Sequence, residues 1–252
     1  MTWFNQAPPI QFLPKRLIRL PVLWSDVLER WVVISALILD VIGSIKPNNG
    51  ESPSIGVTNV IVEPKQDCRV IPNQNTLCVA TYQADLAPVL MCLGATIHLA
   101  GPNGVRSMAL CEFFQLDGMT RNVLQPGELV THLTLPEDVA EWHGDYQKLR
   151  QRESWDFPEA GVAAVWKKNG TTKPTELRVA TTGLESIPIL HTKEVDTYLE
   201  GWSGAESIND LAESIRKAVK PVQNTWFSPS YRRKMVKVLT RRACAGLVEE
   251  GS

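Results

Sequence analysis

At 252 residues, with 44% hydrophobic and 21% charged side chains, the chain has an ordinary globular composition, with apolar material for one large core or two small ones. Its formal net charge of −1 supplies no long-range field for capturing nucleic acid or an anionic membrane, so any anionic ligand has to be met by a local arrangement of donors. Five cysteines without a CxxC pair, and no charged segment leading into a cleavage site at the start, predict reduced thiols and a cytoplasmic setting.

Residues 1–66 read as irregular, punctuated by Pro8, Pro9, Pro14 and Pro21, with a turn-rich linker at KPNNGESPS, Lys46 to Ser54. The apolar run from Trp31 to Ile45 contains Asp40 and falls short of the ~20 residues that span a bilayer, so it is expected to be a buried helix or strand and not a membrane segment. In DLAPVLMCLG, Asp85 is placed to cap a helix, Leu86, Val89, Leu90 and Leu93 fall on one helical face, and Gly94 stands where a terminating glycine belongs. ATIHLAGPNGVRSMAL then reads as strand, GPNG turn and strand, and Gly127 to Pro136 as a further strand closed by proline.

From Asp145 onward, DYQKLRQR, GVAAVWKK and ELRVATTG read as strands, the last two joined around Asn169-Gly170, which predicts a three-stranded antiparallel sheet. On the first of these, Arg150 and Arg152 share a face with Lys148 by the two-residue period, which is also how a solvated edge looks. Three helices are expected after it: Thr192 to Glu200, Ser207 to Val219, and Ser228 to Gly246. In the last, Tyr231, Met235, Val238 and Leu239 make an apolar face, and Arg232, Arg233, Lys237 and Arg241 largely cover the rest. One solvated basic helix on a neutral chain is a weak footprint for nucleic acid, and none is expected as a partner. The four histidines show no metal-ligand spacing.

The ordered run CVATYQADLAPVLMCLGATIHLAGPNG, LCEFF, LQPGELVTHLTLP, YQKLRQRESWDFPEAGVAAVW, LRVATTGLESIP and SYRRKMVKVLTRRA resembles the FAD-binding medium subunit of the molybdenum hydroxylases. That family groups the xanthine dehydrogenases, carbon monoxide dehydrogenases and 4-hydroxybenzoyl-CoA reductases, and the resemblance runs from about Cys68 to Ala245. It implies an α+β fold in three parts: a divergent segment 1–66, the C-terminal half of a FAD-binding PCMH-type α/β domain at 67–140, and at 141–252 a three-stranded antiparallel sheet with a three-helix bundle, like the CO dehydrogenase flavoprotein C-terminal domain. It also implies a cytoplasmic oxidoreductase subunit whose FAD exchanges electrons with [2Fe-2S] clusters on a small subunit, a molybdopterin-binding large subunit, and an external acceptor or donor.

Carried over residue by residue, the family's aDlaPaL motif matches Ala84 to Leu90 and puts Asp85 beside the ribose and phosphate region, with a plain helix cap as the alternative. The DELL strand matches Gly127 to Val130 and puts Leu129 and Val130 under the isoalloxazine, or simply in a strand core. The strand lysine and the Trp-Asp loop correspond to Lys148, Trp155 and Asp156, a cation and an anion able to set the redox poise of the ring between them. The family's two glycine-rich loops, whose backbone N–H groups cradle the pyrophosphate, have no counterpart, since Ser54 to Glu63 lacks paired glycines. Weak FAD binding by the chain alone is therefore expected, and the competing expectation is a non-catalytic remnant or interaction subunit without FAD. Cys68 and Cys78 resemble the end of the four-cysteine insert that holds an extra [4Fe-4S] cluster in the reductase branch; residues 1–67 contain no cysteine, so an intact cluster is not expected.

Overall fold

A computed structural model describes residues 78–153, 156–168, 173–204 and 206–249. The apolar run Trp31 to Ile45, the Lys46 to Ser54 segment, Cys68, Trp155 and the Asn169-Gly170 turn lie outside the described residues. Helix α1, Leu86–Cys92, closes at Gly94, whose left-handed φ of 73° is the conformation glycine adopts without steric cost. Its buried side differs from the predicted stripe: Ala87, Pro88, Leu90, Met91 and Cys92 are buried, while Leu86 is exposed. The reason is that α1 has two packing partners. Leu90 and Met91 join Ile97, Leu99, Phe113 and Leu133 in one core, and Cys92 joins Trp142, Ala163, Val165 and Ala180 in another.

The first of these cores lies under a three-stranded antiparallel sheet of order β2-β1-β3, formed by β1 (Thr96–Gly101), β2 (Gly104–Ala109) and β3 (Leu129–Thr134), with the predicted GPNG turn between β1 and β2. A short helix, α2 (Leu110–Phe113), follows β2. The Arg106 guanidinium grips the Glu128 carboxylate through Nε at 2.7 Å and Nη2 at 2.8 Å, which holds β2 against the approach to β3. That guanidinium, with the Gln125 amide behind it, draws the Glu128 carboxyl down to about 2.

A 3-10 turn at Glu137–Glu141 leads into the second sheet, of order β4-β5-β6-β7: β4 (His143–Leu149), β5 (Ala160–Lys167), β6 (Glu176–Thr182) and β7 (Ile189–Leu190). The predicted three strands are present, and β7 adds a fourth, two residues long. Strand β4 ends at Leu149, so Arg150 and Arg152 leave the strand and do not share its Lys148 face. The chain turns there because Glu159 N bonds back to Leu149 O, while the Gln151 and Arg152 amides are taken by Asp156. Strand β5 is buried on both faces. Ala160, Val162, Ala164 and Trp166 pack toward α3 (Thr192–Glu200), α4 (Ser207–Ala218) and α5 (Pro229–Ala243), and Ala163 and Val165 pack toward α1 and Trp142. The layers thus run first sheet, α1, second sheet, helices. A terminal turn, α6 (Gly246–Glu249), closes the last layer.

Helix α5 starts as its sequence dictates, with the Ser228 hydroxyl accepting from Tyr231 N and Pro229 at the first helical position. Its buried face, however, is Arg232, Val236, Leu239, Thr240 and Ala243, and Tyr231 is exposed. The expected placement of Arg232 among the solvated cations is therefore incorrect: it is the largest fully buried side chain, kept inside by acceptors from three loops. No helix of the described residues is long and apolar enough to cross a membrane.

One buried titratable group predicts a pH response. His191, at the start of α3, is bonded through Nε2 to the Thr181 hydroxyl at 2.9 Å and stands 3.6 Å from the Glu194 carboxylate. Burial pulls its pKa down to about 4, against the opposing pull of Glu194. Because the unfolded imidazole titrates near ~6.5, the unfolded state binds more protons below that pH, and stability falls as pH drops from about 6.5 toward 4. His98, also lowered by burial, acts in the same direction. Urea midpoints measured across this window should decline for the wild type and decline less steeply for His191→Gln; equal slopes would remove His191 as a contributor.

Candidate functional site

The N-terminal end of α1, strand β4 and residues 150–153 and 156–159 that follow it converge on one polar cluster. Asp85 occupies the N-cap position of α1, yet its side chain accepts no capping bond from the helix. Its carboxylate faces β4 instead, where Oδ1 accepts from the Tyr146 hydroxyl at 2.7 Å and Oδ2 from the Lys148 ammonium at 2.6 Å. Tyr146 and Lys148 are two residues apart and so share a face of the strand, which lets both reach one carboxylate. Lys148 Nζ also donates to the backbone carbonyl of Asp156 at 2.9 Å. This contact brings the Asp156 backbone to the Lys148 ammonium.

The Asp156 carboxylate points the other way. It accepts from Gln151 N at 2.9 Å and Arg152 N at 2.8 Å and pairs with the Arg152 guanidinium at 3.2 Å. Those bonds, with the Arg152 amide the largest contributor, hold its carboxyl below the usual carboxylate range. The side chain therefore shapes the loop, and its backbone carbonyl is what meets the lysine. A second tie closes the loop: Gln151 Nε2 donates to Glu159 Oε1 at 3.1 Å, and the Glu159 carbonyl accepts from the buried Arg232 at 2.8 Å.

The phenol of Tyr146 lies over Gly161. A Cβ at that position would stand 2.5 Å from the hydroxyl oxygen and 2.7 Å from Thr182 Cγ2, so only glycine leaves the ring its seat. Burial, with the Asp85 charge second, raises the phenol far above its ordinary range, so it remains a neutral donor. Reading the sequence missed Tyr146, Gly161 and Arg232. The two-residue spacing of Tyr146 and Lys148 was a signal available for the first; the other two depend on contacts between distant segments.

Other predicted residues lie elsewhere. Leu129 and Val130 stand on β3 of the first sheet, Leu129 42% exposed opposite Ala100, Val130 half-buried opposite Leu99 and packed on the core beneath. Cys78 is half-buried, and its backbone is tied to Asp117, Gly118 and Ser186. His98 and His132, far apart in sequence, stack in register across β1 and β3, with ring centroids 4.1 Å apart and planes 3° from parallel. Stacked rings direct their nitrogen lone pairs side by side and not at a common point, and no group of three or more metal-ligating side chains occurs among the described residues.

Comparison with known proteins gives a consistent picture. Residues 43–138 match the FAD binding domain in molybdopterin dehydrogenase, and residues 145–247 match the CO dehydrogenase flavoprotein C-terminal domain. The first match begins ahead of Cys68, where the resemblance carried by motifs starts. The chain is 29% identical to the carbon monoxide dehydrogenase medium chain of Afipia carboxidovorans over 63% of its own length and 54% of that protein. It is 30% identical to the FAD-binding subunit of the Escherichia coli aldehyde oxidoreductase, over 64% of this chain and 49% of that one. Against the glyceraldehyde dehydrogenase medium chain of Sulfolobus acidocaldarius the figures are 30%, 64% and 55%. The chain thus spans about half the length of the curated relatives it matches. Among solved structures, CO dehydrogenase from Oligotropha carboxidovorans superposes with a TM-score of 0.56 at 24% identity, covering 67% of this chain and 57% of that one. Quinoline 2-oxidoreductase from Pseudomonas putida superposes with a TM-score of 0.58 at 21% identity, covering 68% and 58%. These likenesses establish the fold.

Proposed function

Because the chain belongs to the family of FAD-binding subunits of the molybdenum hydroxylases, we propose that it holds FAD and passes electrons between the iron–sulfur clusters of partner subunits and an external acceptor or donor. The observation that carries this reading is the Lys148 ammonium, brought by Asp85 and the Asp156 carbonyl to the place where α1, β4 and the loop meet. An ammonium has three N–H donors. Two have acceptors here, and the side chain keeps 20% of its surface open, so one donor is available to an electron-rich ring edge. That donor set fits the ring end of a flavin.

Bound there, FAD supplies the capacity to take up a pair of electrons and release them singly. The protein's share is electrostatic and steric. Lys148 offers the reduced ring its open N–H donor and a positive charge offset in part by Asp85 at 2.6 Å, and the Asp156 carboxylate, already engaged by Arg152 and two amides, adds little negative charge there. Asp85, with 46% of its side chain open, retains lone pairs for a hydroxyl donor such as a ribose.

Two relatives are named medium chains, which supports an assembly with a large molybdopterin subunit and a small [2Fe-2S] subunit. The second reading, an interaction subunit without flavin, is favoured by the lack of paired glycines for the pyrophosphate. Absorbance near 450 nm separates the two. Purified alone, the chain is expected to carry substoichiometric FAD, and co-purified with its partner subunits a full equivalent. A complex that assembles colourless would establish the second reading, and a stoichiometrically yellow isolated chain would show that phosphate donors are already present.

A further inference from the structure

We infer that Tyr146 is the positioning residue for Lys148, acting through Asp85, and that it determines where the lysine's remaining donor points toward the flavin. The inference rests on the flavin reading above. Its basis is the division of one carboxylate between two donors of different kinds. Tyr146 Oη bonds Asp85 Oδ1 at 2.7 Å and Lys148 Nζ bonds Oδ2 at 2.6 Å, so the plane of the carboxylate is set by the phenol together with the ammonium. The part-buried ring is seated in the space left by the missing side chain of Gly161, next to Thr182.

A carboxylate held by one donor alone can rotate about its terminal bond, a broad and shallow torsion. With both oxygens engaged it cannot, and Nζ is confined to the point that satisfies Asp85 Oδ2 and the Asp156 carbonyl together. Two bonds of a tetrahedral ammonium then fix the direction of the third. Lys148 alone, on a long flexible stem, would not have that property. The Tyr146 hydroxyl donates to Asp85 Oδ1, so its influence on Lys148 runs through the carboxylate.

The test is made on the full chain with Tyr146→Phe, Asp85→Asn and Lys148→Met, using two readouts. The first needs no flavin: competitive acetylation of the amines, with Lys148 quantified by mass spectrometry against the exposed lysines. Releasing the grip should raise Lys148 labelling several-fold in Tyr146→Phe and in Asp85→Asn. The second is the dissociation constant for added FAD by fluorescence quenching, expected to weaken roughly tenfold in Tyr146→Phe, the scale of one lost hydrogen bond to a charged group. Adding Tyr146→Phe to Lys148→Met should then cost nothing more, because the two lie on one path. Unchanged labelling and FAD affinity in Tyr146→Phe, with Lys148→Met weakened, would reduce Tyr146 to packing and overturn the inference. Faster labelling with unchanged FAD affinity would overturn it too, since the position of the lysine would not matter to the flavin. An unaltered FAD constant in Lys148→Met, or no saturable quenching in the wild type co-purified with its partner subunits, would defeat the flavin reading itself, while the labelling arm still decides whether Tyr146 holds the lysine.

Discussion

Replacing Arg232 with methionine is expected to lower stability by about 3–5 kcal/mol, the range found when one partner of a buried charged network is removed. Arg232 has no exposed surface. Its Nε donates to Glu159 O at 2.8 Å, Nη1 to Val222 O at 2.8 Å and to Asn224 Oδ1 at 3.2 Å, and Nη2 to Gly183 O. Methionine fills a similar volume but donates nothing, so carbonyls from three segments lose their partner at once, and the Glu159 carboxylate, 4.0 Å away, loses its neighbouring positive charge. Burial lowers the guanidinium pKa, yet with its acceptors arranged around it the group stays charged. The effect should reach the site, because Glu159 closes the loop whose Asp156 carbonyl receives Lys148. Urea denaturation gives the stability, and amide exchange of residues 156–159 gives the loop. A loss under ~1 kcal/mol would mean that water replaces the guanidinium without cost, contrary to the burial of the Glu159 and Gly183 carbonyls.

The second large effect is expected from Gly161→Ala, a single methyl group near the start of β5. It would lie 2.5 Å from the Tyr146 hydroxyl and 2.7 Å from Thr182 Cγ2, both closer than carbon atoms are ever found to approach, so the phenol has to leave its seat. Overpacking of this kind costs typically 1–3 kcal/mol. The displaced phenol also gives up Asp85, so the substitution should mimic Tyr146→Phe in FAD affinity while exceeding it in lost stability. A double-mutant cycle resolves the two parts. In a Tyr146→Phe background the 2.5 Å hydroxyl contact is gone, leaving Thr182 at 2.7 Å and the ring carbon at 3.1 Å, so the alanine should be less costly there by more than ~0.5 kcal/mol. Strict additivity would mean that the methyl group and the phenol do not meet.

Most elements were legible from the residues because their determinants are local. Gly94 ends α1, Asn103-Gly104 turns between β1 and β2, and Ser228 with Pro229 starts α5; each acts through backbone conformation within a few residues. The ordered motifs likewise led to the family, which matches over 43–138 and 145–247. Which side of an element is buried was a different matter. For α1 the helical period predicted one stripe, but the helix lies between two sheets, and periodicity cannot count packing partners.

The same limit explains Arg232, Asp85 and Tyr146. A cation on a helix reads as solvated by base rate, and Arg232 is buried only because the carbonyls of Glu159, Gly183 and Val222 converge on it from three distant segments. An aspartate ahead of a helix reads as its cap, and here the tertiary arrangement offers it an ammonium and a phenol, stronger partners than a backbone amide. The sequence by itself determined the element types, the family and the presence of Lys148 and Asp156 near one loop. Only the folded chain decided that Asp156 meets the lysine through its carbonyl and that Tyr146, seated on Gly161, completes the grip, because hydrogen-bond partners and free volume are properties of segments brought together from across the chain.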